Sequence, residues 1–350
     1  AIKSTRLQGQ LTSRPRVKTN PAFNEASVLI IVLWVLCLLS TFAVVSSYGV
    51  RQKLGLINRL EERDKLRYIT EAGVKKAIAV LKNGPVGSYG AFRDVWSNNP
   101  GAFSNIRVGD GEVSVSYEFF DDATGVTRMI YGLIDEERKI NINKVAPRVL
   151  ERLFRIVLKM EEAQAQELSA SIIDWRDSGG EGATAQDYYY MNLQYPYEAK
   201  HADFELLEEV LLVKGMDDNI FGKVKDWITV YGDGKVNINT ASASVLGALG
   251  LNDDIVDKLL SYRSGEDRTL GTADDNVFDT NSNIASVLSQ AFQLSDPQIA
   301  QLSLVAAETL GTSSSNFMVK SNGRLLDRKA TSEVTCVADR QGKILYWRQK

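Results

Sequence analysis

A chain of 350 residues with 44% apolar content can bury a sizeable core and has room for about two domains. Its net charge of −3 hides an asymmetry, because residues 1–25 carry Lys3, Arg6, Arg14, Arg16 and Lys18 against Glu25 alone. The remainder is therefore acidic on balance, which argues against a large nucleic-acid surface. Cys37 and Cys336 lie far apart, and Cys37 falls inside an apolar run, so neither a disulfide framework nor a zinc spacing exists. The one histidine, His201, has no cysteine or histidine near it at ligand spacing and reads as an ordinary surface residue.

Residues 26–50 contain no charged side chain, and their centre, VLIIVLWVLCLL, is almost continuously apolar. As a helix this stretch spans roughly 37 Å, against roughly 30 Å of bilayer hydrocarbon. A cleaved secretory signal would have a shorter apolar region followed by a small-residue cleavage site. Arg51, Lys53 and Arg59 follow the stretch, so both flanks are basic. Long domains cross largely regardless of charge, so the short N-terminus is expected in the cytoplasm and the large remainder across the membrane. After Val50 the pattern becomes amphipathic: Leu54, Ile57, Leu60, Leu66, Ile69, Ala77 and Leu81 recur at roughly helical spacing. No proline occurs between Pro21 and Pro85, and the spacing predicts one long helix over 27–82, with 27–50 in the membrane.

A helix of this shape, with a basic leader before it and a globular head after it, resembles the type IV pilin and pseudopilin architecture. TEAGVKKAIAVL (70–81) is similar to the AEAG segment that recurs in pseudopilin helices. The resemblance implies a leader, residues 1–26, that a prepilin peptidase removes by cutting between Ala26 and Ser27. The family usually has glycine where this chain has Ala26. The fifth residue after the cut is Ile31, where ordinary filament subunits carry a glutamate. A carboxylate is expensive in hydrocarbon unless a partner meets it, and its absence suits a subunit with no neighbour above it.

Residues 83–111 are rich in Gly, Asn, Ser and Pro and read as turns around short elements. EVSVSYEFF (112–120) and TRMIYGLID (127–135) alternate and flank the turn DDATG, which predicts a hairpin of two strands. Near the end, SNFMVKSNGRL, SEVTCVADRQ and KILYWRQ predict three more strands. Residues 139–312 between them are helical in pattern and contain an internal repeat. KININK (139–144) and KVNINT (235–240) match almost letter for letter. Each precedes a helical stretch (145–154 and 241–250), then a second helix ending in Asp-Trp-Arg (174–176) or Ser-Tyr-Arg (261–263), then a Gly-rich acidic loop. The period is too long and the copies too few for a solenoid.

These units, with SIIDWRDSGGE, NLQYPYEAKHADFELLEEVLLVKGM (192–216) and VYGDGKVNINTA (230–241), resemble the K-type minor pseudopilins of type II secretion in order and spacing. ILYWRQ is similar to the C-terminal strand of that family. The resemblance runs from about residue 24 to the C-terminus and implies an α+β fold. A pseudopilin-type antiparallel sheet, supplied by 83–138 and completed by 313–350, packs on the long helix. An α-helical domain with two helix-hairpin-helix-like repeats, 139–312, is inserted into it. The implied function is a non-catalytic cap at the tip of the pseudopilus, assembled with the I- and J-type minor pseudopilins and anchored by a single pass in the inner membrane. A minor pilin-like tip protein of a related type IV filament is a second reading.

The same repeat supports a rival. VNINTA followed by two helices also opens the helix-hairpin-helix DNA-binding domains of membrane-anchored competence and type IV pilus proteins. Those domains hold phosphate with backbone N–H groups at a glycine-rich hairpin. The corresponding residues 249–254 have Gly250 alone and put Asp253 and Asp254 where phosphate would lie; the first repeat has Lys159 followed by Glu161 and Glu162. No nucleic-acid partner is expected. No Gly-x-Ser-x-Gly elbow, phosphate loop, His-Glu-x-x-His or dinucleotide fingerprint occurs, and no catalytic activity is expected either.

The acidic loops carry the remaining chemistry. GEDRTLGTADDNVFDTNSN (265–283) offers Glu266, Asp267, Asp274, Asp275 and Asp279 against Arg268, with Gly265 and Gly271 allowing tight turns. Calcium takes six to eight oxygen ligands, carbonyls included, and this composition provides them without matching the EF-hand template. The family resemblance points the same way, since K-type pseudopilins bind calcium in the inserted domain. A weaker second set is Asp174, Asp177, Glu181 and Asp187, where the family often has Gly-Ala-Glu and this chain has Ala185-Gln186.

Overall fold

A computed structural model describes residues 21–84, 89–121, 125–177 and 185–350. In chain order they form α1 (Pro21–Asn83), α2 (Pro100–Phe103), β1 (Ile106–Val108), β2 (Gly111–Val115), β3 (Tyr117–Asp121), β4 (Val126–Ile130) and β5 (Ile134–Asp135). A mostly helical region follows: β6 (Ile140–Asn141), α3 (Pro147–Leu158), α4 (Glu162–Arg176), α5 (Ala185–Met191), a 3-10 turn (Leu207–Leu212), α6 (Asp218–Val224), β7 (Ile228–Thr229) and β8 (Val236–Asn237). It continues through α7 (Ala243–Ala248), α8 (Asp253–Arg263), α9 (Ile284–Ala291), α10 (Asp296–Thr309) and β9 (Leu310–Gly311). The chain closes on β10 (Asn316–Leu325), β11 (Thr331–Asp339) and β12 (Ile344–Gln349).

The chain divides into two units, residues 1–63 and 64–350. In the first, α1 exposes its large apolar side chains on all sides; Leu29 and Trp34 are each about 70% exposed. It is the helix among the described residues that is long and apolar enough to cross a membrane. Apolar surface of this extent is at home in lipid rather than water.

In the second unit the C-terminal part of α1 packs on a six-stranded antiparallel sheet of order β1-β2-β10-β11-β12, with β5 also on β10. Strand β10 is the spine. It pairs with β11 from Asn316↔Asp339 to Arg324↔Thr331, with β2 at residues 321–325, and with β5 at Phe317↔Asp135. Alternate residues of β2 and β10 are buried, as a strand with one covered face requires. Val74, Ala77 and Leu81 of α1 share a core with Val115, Phe317, Val319, Val334 and Cys336. The helix comes close because Gly73 has no side chain: a Cβ there would stand 2.2 Å from the Ser321 Oγ and 2.7 Å from a Val113 methyl.

The expected hairpin exists, but the run 112–120 is not one strand. It breaks at Ser116, whose N–H donates to the Lys320 carbonyl (3.1 Å). Residues before the break join the main sheet as β2, and those after it pair with β4 as a separate two-stranded sheet. The run 127–135 divides in the same way. Its residues 131–133 are tied to an earlier turn by Asn99 N–H to Tyr131 O (2.7 Å) and Leu133 N–H to Trp96 O (2.9 Å). That approach is possible because Gly132 leaves its backbone against Ser97, where a Cβ would collide.

The helical region has one continuous apolar core, from Ile140 to Leu310. Both repeats are built alike. Each opens on a short strand, continues through two helices, and is closed by a distant strand pairing in parallel with the first: β6 with β7, and β8 with β9. The turn between the two helices contains a left-handed residue in each, Lys159 (φ 54°) and Gly250 (φ 102°).

Candidate functional site

Within the apolar segment of α1, the Ser40 hydroxyl donates to the Leu36 carbonyl (2.7 Å) and the Thr41 hydroxyl to that of Cys37, so both bond inside the helix, as a hydroxyl in an apolar setting requires. The cleavage position Ala26–Ser27 falls inside α1, and most of the expected leader, residues 1–20, lies outside the described residues.

The repeated Asn-Ile-Asn letters are structural wiring. The first asparagine of each caps its own turn, its Oδ1 accepting from the N–H two residues on: Asn141 from Asn143 (2.8 Å), and Asn237 from Asn239 (3.0 Å). The second clamps a distant phenylalanine by both backbone groups: Asn143 holds Phe204, and Asn239 holds Phe278. The arginine ending each second helix returns to the same loop. Arg176 donates to the carbonyls of Ile142 and Val145, and Arg263 to those of Ile238 (2.8 Å) and Ala241 (2.7 Å).

The acidic run Asp135-Glu136-Glu137, which matches no site motif, fastens this region to the sheet. All three side chains are buried. Asp135 Oδ2 accepts from Asn237 Nδ2 (3.0 Å), Thr240 Oγ1 (2.5 Å) and Ser314 Oγ (2.6 Å). Glu136 pairs with Lys139 (2.6 Å) and accepts from the Thr229 hydroxyl (2.6 Å). Glu137 accepts from the Ser315 N–H (3.1 Å) and the Asn316 amide side chain (2.8 Å). Burial raises the pKa of Asp135, and burial together with the Asp135 charge pushes Glu137 up to about 8. The three residues thus join the strand that leaves the sheet, the second repeat and the segment that returns to it. The available signal was an acidic run continuing a strand without turn residues.

The five carboxylates of the 265–279 loop are not gathered around one point. Asp274 Oδ2 accepts from the N–H groups of Glu266 (2.8 Å) and Asp267 (3.1 Å), and Oδ1 from the Thr272 hydroxyl (2.6 Å). The Thr272 hydroxyl first, then these amides, hold the Asp274 pKa below its ordinary value. Asp275 turns inward to the Gly271 N–H (2.7 Å), and its burial raises its pKa. Asp267 accepts from Thr269 N–H, and Asp279 from Asn283. In the weaker set, Glu181 lies outside the described residues, while Asp174 sits half-buried in the last turn of α4. Asp177 and Asp187 are linked by His201: Nδ1 lies 3.1 Å from the Asp177 carbonyl and Nε2 3.0 Å from the Asp187 carboxylate. The expected ordinary surface histidine is therefore a tether. Among the described residues, no three His, Cys, Asp or Glu side chains converge to hold a metal ion.

The turn at residues 249–254, between α7 and α8, is closed by its own side chains. Asn252 caps α8 through the Ile255 N–H (2.9 Å), and Asp254 is engaged by Lys258 (2.6 Å) and Gln298 (2.5 Å). Nothing in this arrangement supports the DNA-binding alternative, since the helix N-terminus already carries its negative charge.

Residues 130–233, from the end of β4 through the first repeat, match the model of the family described as Type II secretion system (T2SS), protein K. No curated protein sequence matches the chain. Among solved structures, a chain in the crystal structure of the GspK-GspI-GspJ complex from the enterotoxigenic Escherichia coli type 2 secretion system is similar in fold. Its TM-score is 0.57 at 17% identity, over 84% of this chain and 99% of that one.

Proposed function

We propose that this chain, whose residues 130–233 match the type II secretion protein K family, is a K-type minor pseudopilin and that its work is assembly at the filament tip rather than catalysis. The observation that carries this reading is the uncharged apolar helix, with Ile31 where a shaft subunit needs a carboxylate for the neighbour above. A subunit without that group terminates a stack. The helical region adds bulk that identical copies stacked on it would have to accommodate, which also favours the end over the shaft. The structurally similar chain comes from a complex of GspK with GspI and GspJ, which supports I- and J-type pseudopilins as the partners here. On this reading the N-terminus is cytoplasmic, the head lies beyond the inner membrane, and a prepilin peptidase cuts between Ala26 and Ser27.

Calcium belongs to the proposal. The 265–279 loop supplies hard oxygen donors of the type calcium prefers. As folded, it spends those carboxylates on its own amides and hydroxyls, so an ion there has to draw Asp274 and Asp275 away from them.

Gold-labelled antibody against the head, applied to sheared pseudopili, tests the placement. Label confined to filament ends supports the cap, and label along the shaft contradicts it.

A further inference from the structure

In the second repeat, the segment from Arg263 to Phe278 is the surface that meets the β part of its unit. Leu270 is buried with Phe92, Tyr117, Phe119 and Ile130. Two arginines complete the contact: Arg128 donates to the Leu270 carbonyl (2.7 Å) and Arg93 to that of Asp275 (3.0 Å). The corresponding segment of the first repeat runs from Arg176 to Phe204, because the anchors at both ends are the same. Arg176 and Arg263 bind equivalent carbonyls, and Asn143 and Asn239 clamp Phe204 and Phe278. The aromatic contacts behind them correspond too. Trp175 stacks with Phe204 (centroids 6.5 Å apart), as Tyr262 lies on Phe278 (4.8 Å).

What differs is the outer side. Where the second repeat buries Leu270, the first presents Tyr188, Tyr189, Met191 and Tyr195 to solvent, 60%, 41%, 47% and 80% exposed. Tyrosine and methionine gathered this way are enriched at the centres of protein interfaces rather than on ordinary surface. Glu198, three residues past Tyr195, is exposed, while the cations nearby are already engaged: Lys214, whose Nζ lies 5.5 Å from the centre of the Tyr189 ring, by Glu167, Lys200 by Glu205 and Glu209, and His201 by Asp187. Such a rim favours a partner carrying arginine or lysine.

We propose that Tyr188, Tyr189, Met191 and Tyr195 form a docking face for the head of a different filament subunit. That subunit presents a basic β-hairpin to the first repeat, as β3–β4 with Arg128 is presented to the second. The inference rests on the reading of this chain as a pseudopilin that assembles with others, and goes beyond it in naming the face.

The test uses the full chain in membranes with its secretion system present. A photoreactive phenylalanine analogue replaces Tyr195 and, as a control, Leu304, which is 60% exposed on α10. An adduct between position 195 and another pseudopilin, absent at position 304, supports the face. The double substitution Tyr188→Ala/Tyr195→Ala should then lower recovery of that subunit about tenfold or more, with an unchanged far-ultraviolet circular dichroism spectrum and melting temperature showing an intact fold. An adduct only to a second copy of this chain or to lipid overturns the proposal. So do equal adducts at both positions, or none at 195 while other pseudopilins still co-purify; in these cases the assembly reading stands. If no pseudopilin co-purifies with the unaltered chain, both fall together.

Discussion

Arg176 and Arg263 occupy the same place in two copies of one unit, each returning from the end of a second helix to two carbonyls of the opening loop. Their settings differ in one respect: Arg263 is 3% exposed, whereas Arg176 is only half-buried. Arg263→Ala leaves two buried carbonyls without their donor and should cost about 3 kcal/mol or more. Arg176→Ala, where water can replace the lost donor, should cost roughly half as much. Urea unfolding of the head measures both, and equal losses would contradict the assignment.

Gly73 sets a second prediction. Alanine gains about 1 kcal/mol in helix propensity over glycine. Here its Cβ meets both Ser321 and Val113, and overpacking costs about 1–3 kcal/mol. The Ser321 hydroxyl also stands to lose its bond to the Thr70 carbonyl (2.8 Å). Gly73→Ala should therefore destabilise the head, while Gly222→Ala, on a helix with no atom within 4 Å of the added methyl, should be neutral or stabilising. Thermal melts that rank the two the other way would refute the close helix–sheet contact.

His201 gives a pH dependence with a definite sign. Burial alone would lower its pKa, but the Asp177 carbonyl and the Asp187 carboxylate outweigh it and raise the value above 6.5. The stabilisation is then fully present below the unfolded value and is lost as pH rises through the folded one. Because the chain has one histidine, a single imidazole resonance reports it. The NMR titration midpoint should lie above 6.5 and fall in Asp187→Asn. A midpoint at or below 6.5 in the unaltered protein would show that the tether does not form.

Calcium should raise the melting temperature of the head, and a chelator should lower it. A ligand that binds only the folded state adds RT ln(1 + [L]/Kd), or ~2.7 kcal/mol at a hundredfold excess. Asp274→Ala with Asp275→Ala should remove most of the response, and Asp121→Ala in the hairpin should leave it intact. Magnesium should substitute poorly, since it demands tighter octahedral geometry. Superimposable melts with calcium and with chelator would exclude the site.

What the sequence disclosed follows from where its periods are long. The helix through Asn83 and the strands β10, β11 and β12 each repeat their pattern over several turns or residues, and the two units betray themselves by matching letters. The break at Ser116 was hidden because alternation continues through it while the pairing partner changes. Strands β5 to β9 have two residues each, too few to show any period. Asp135, Glu136 and Glu137 look like a solvated acidic run, since their donors Asn237, Thr240, Ser314 and Asn316 are far away along the chain. Asp187 and His201 are only 14 residues apart, but no helical or strand period links them, while the dispersal of the loop carboxylates reflects local amides and hydroxyls that composition does not reveal.

The most direct test of the account is purification of the tagged full chain from mild-detergent membranes, followed by mass spectrometry of what accompanies it. The account predicts I- and J-type minor pseudopilins in comparable amounts, with the major shaft subunit in lower yield. Recovery of the chain alone, or with DNA-uptake proteins in place of pseudopilins, would contradict it.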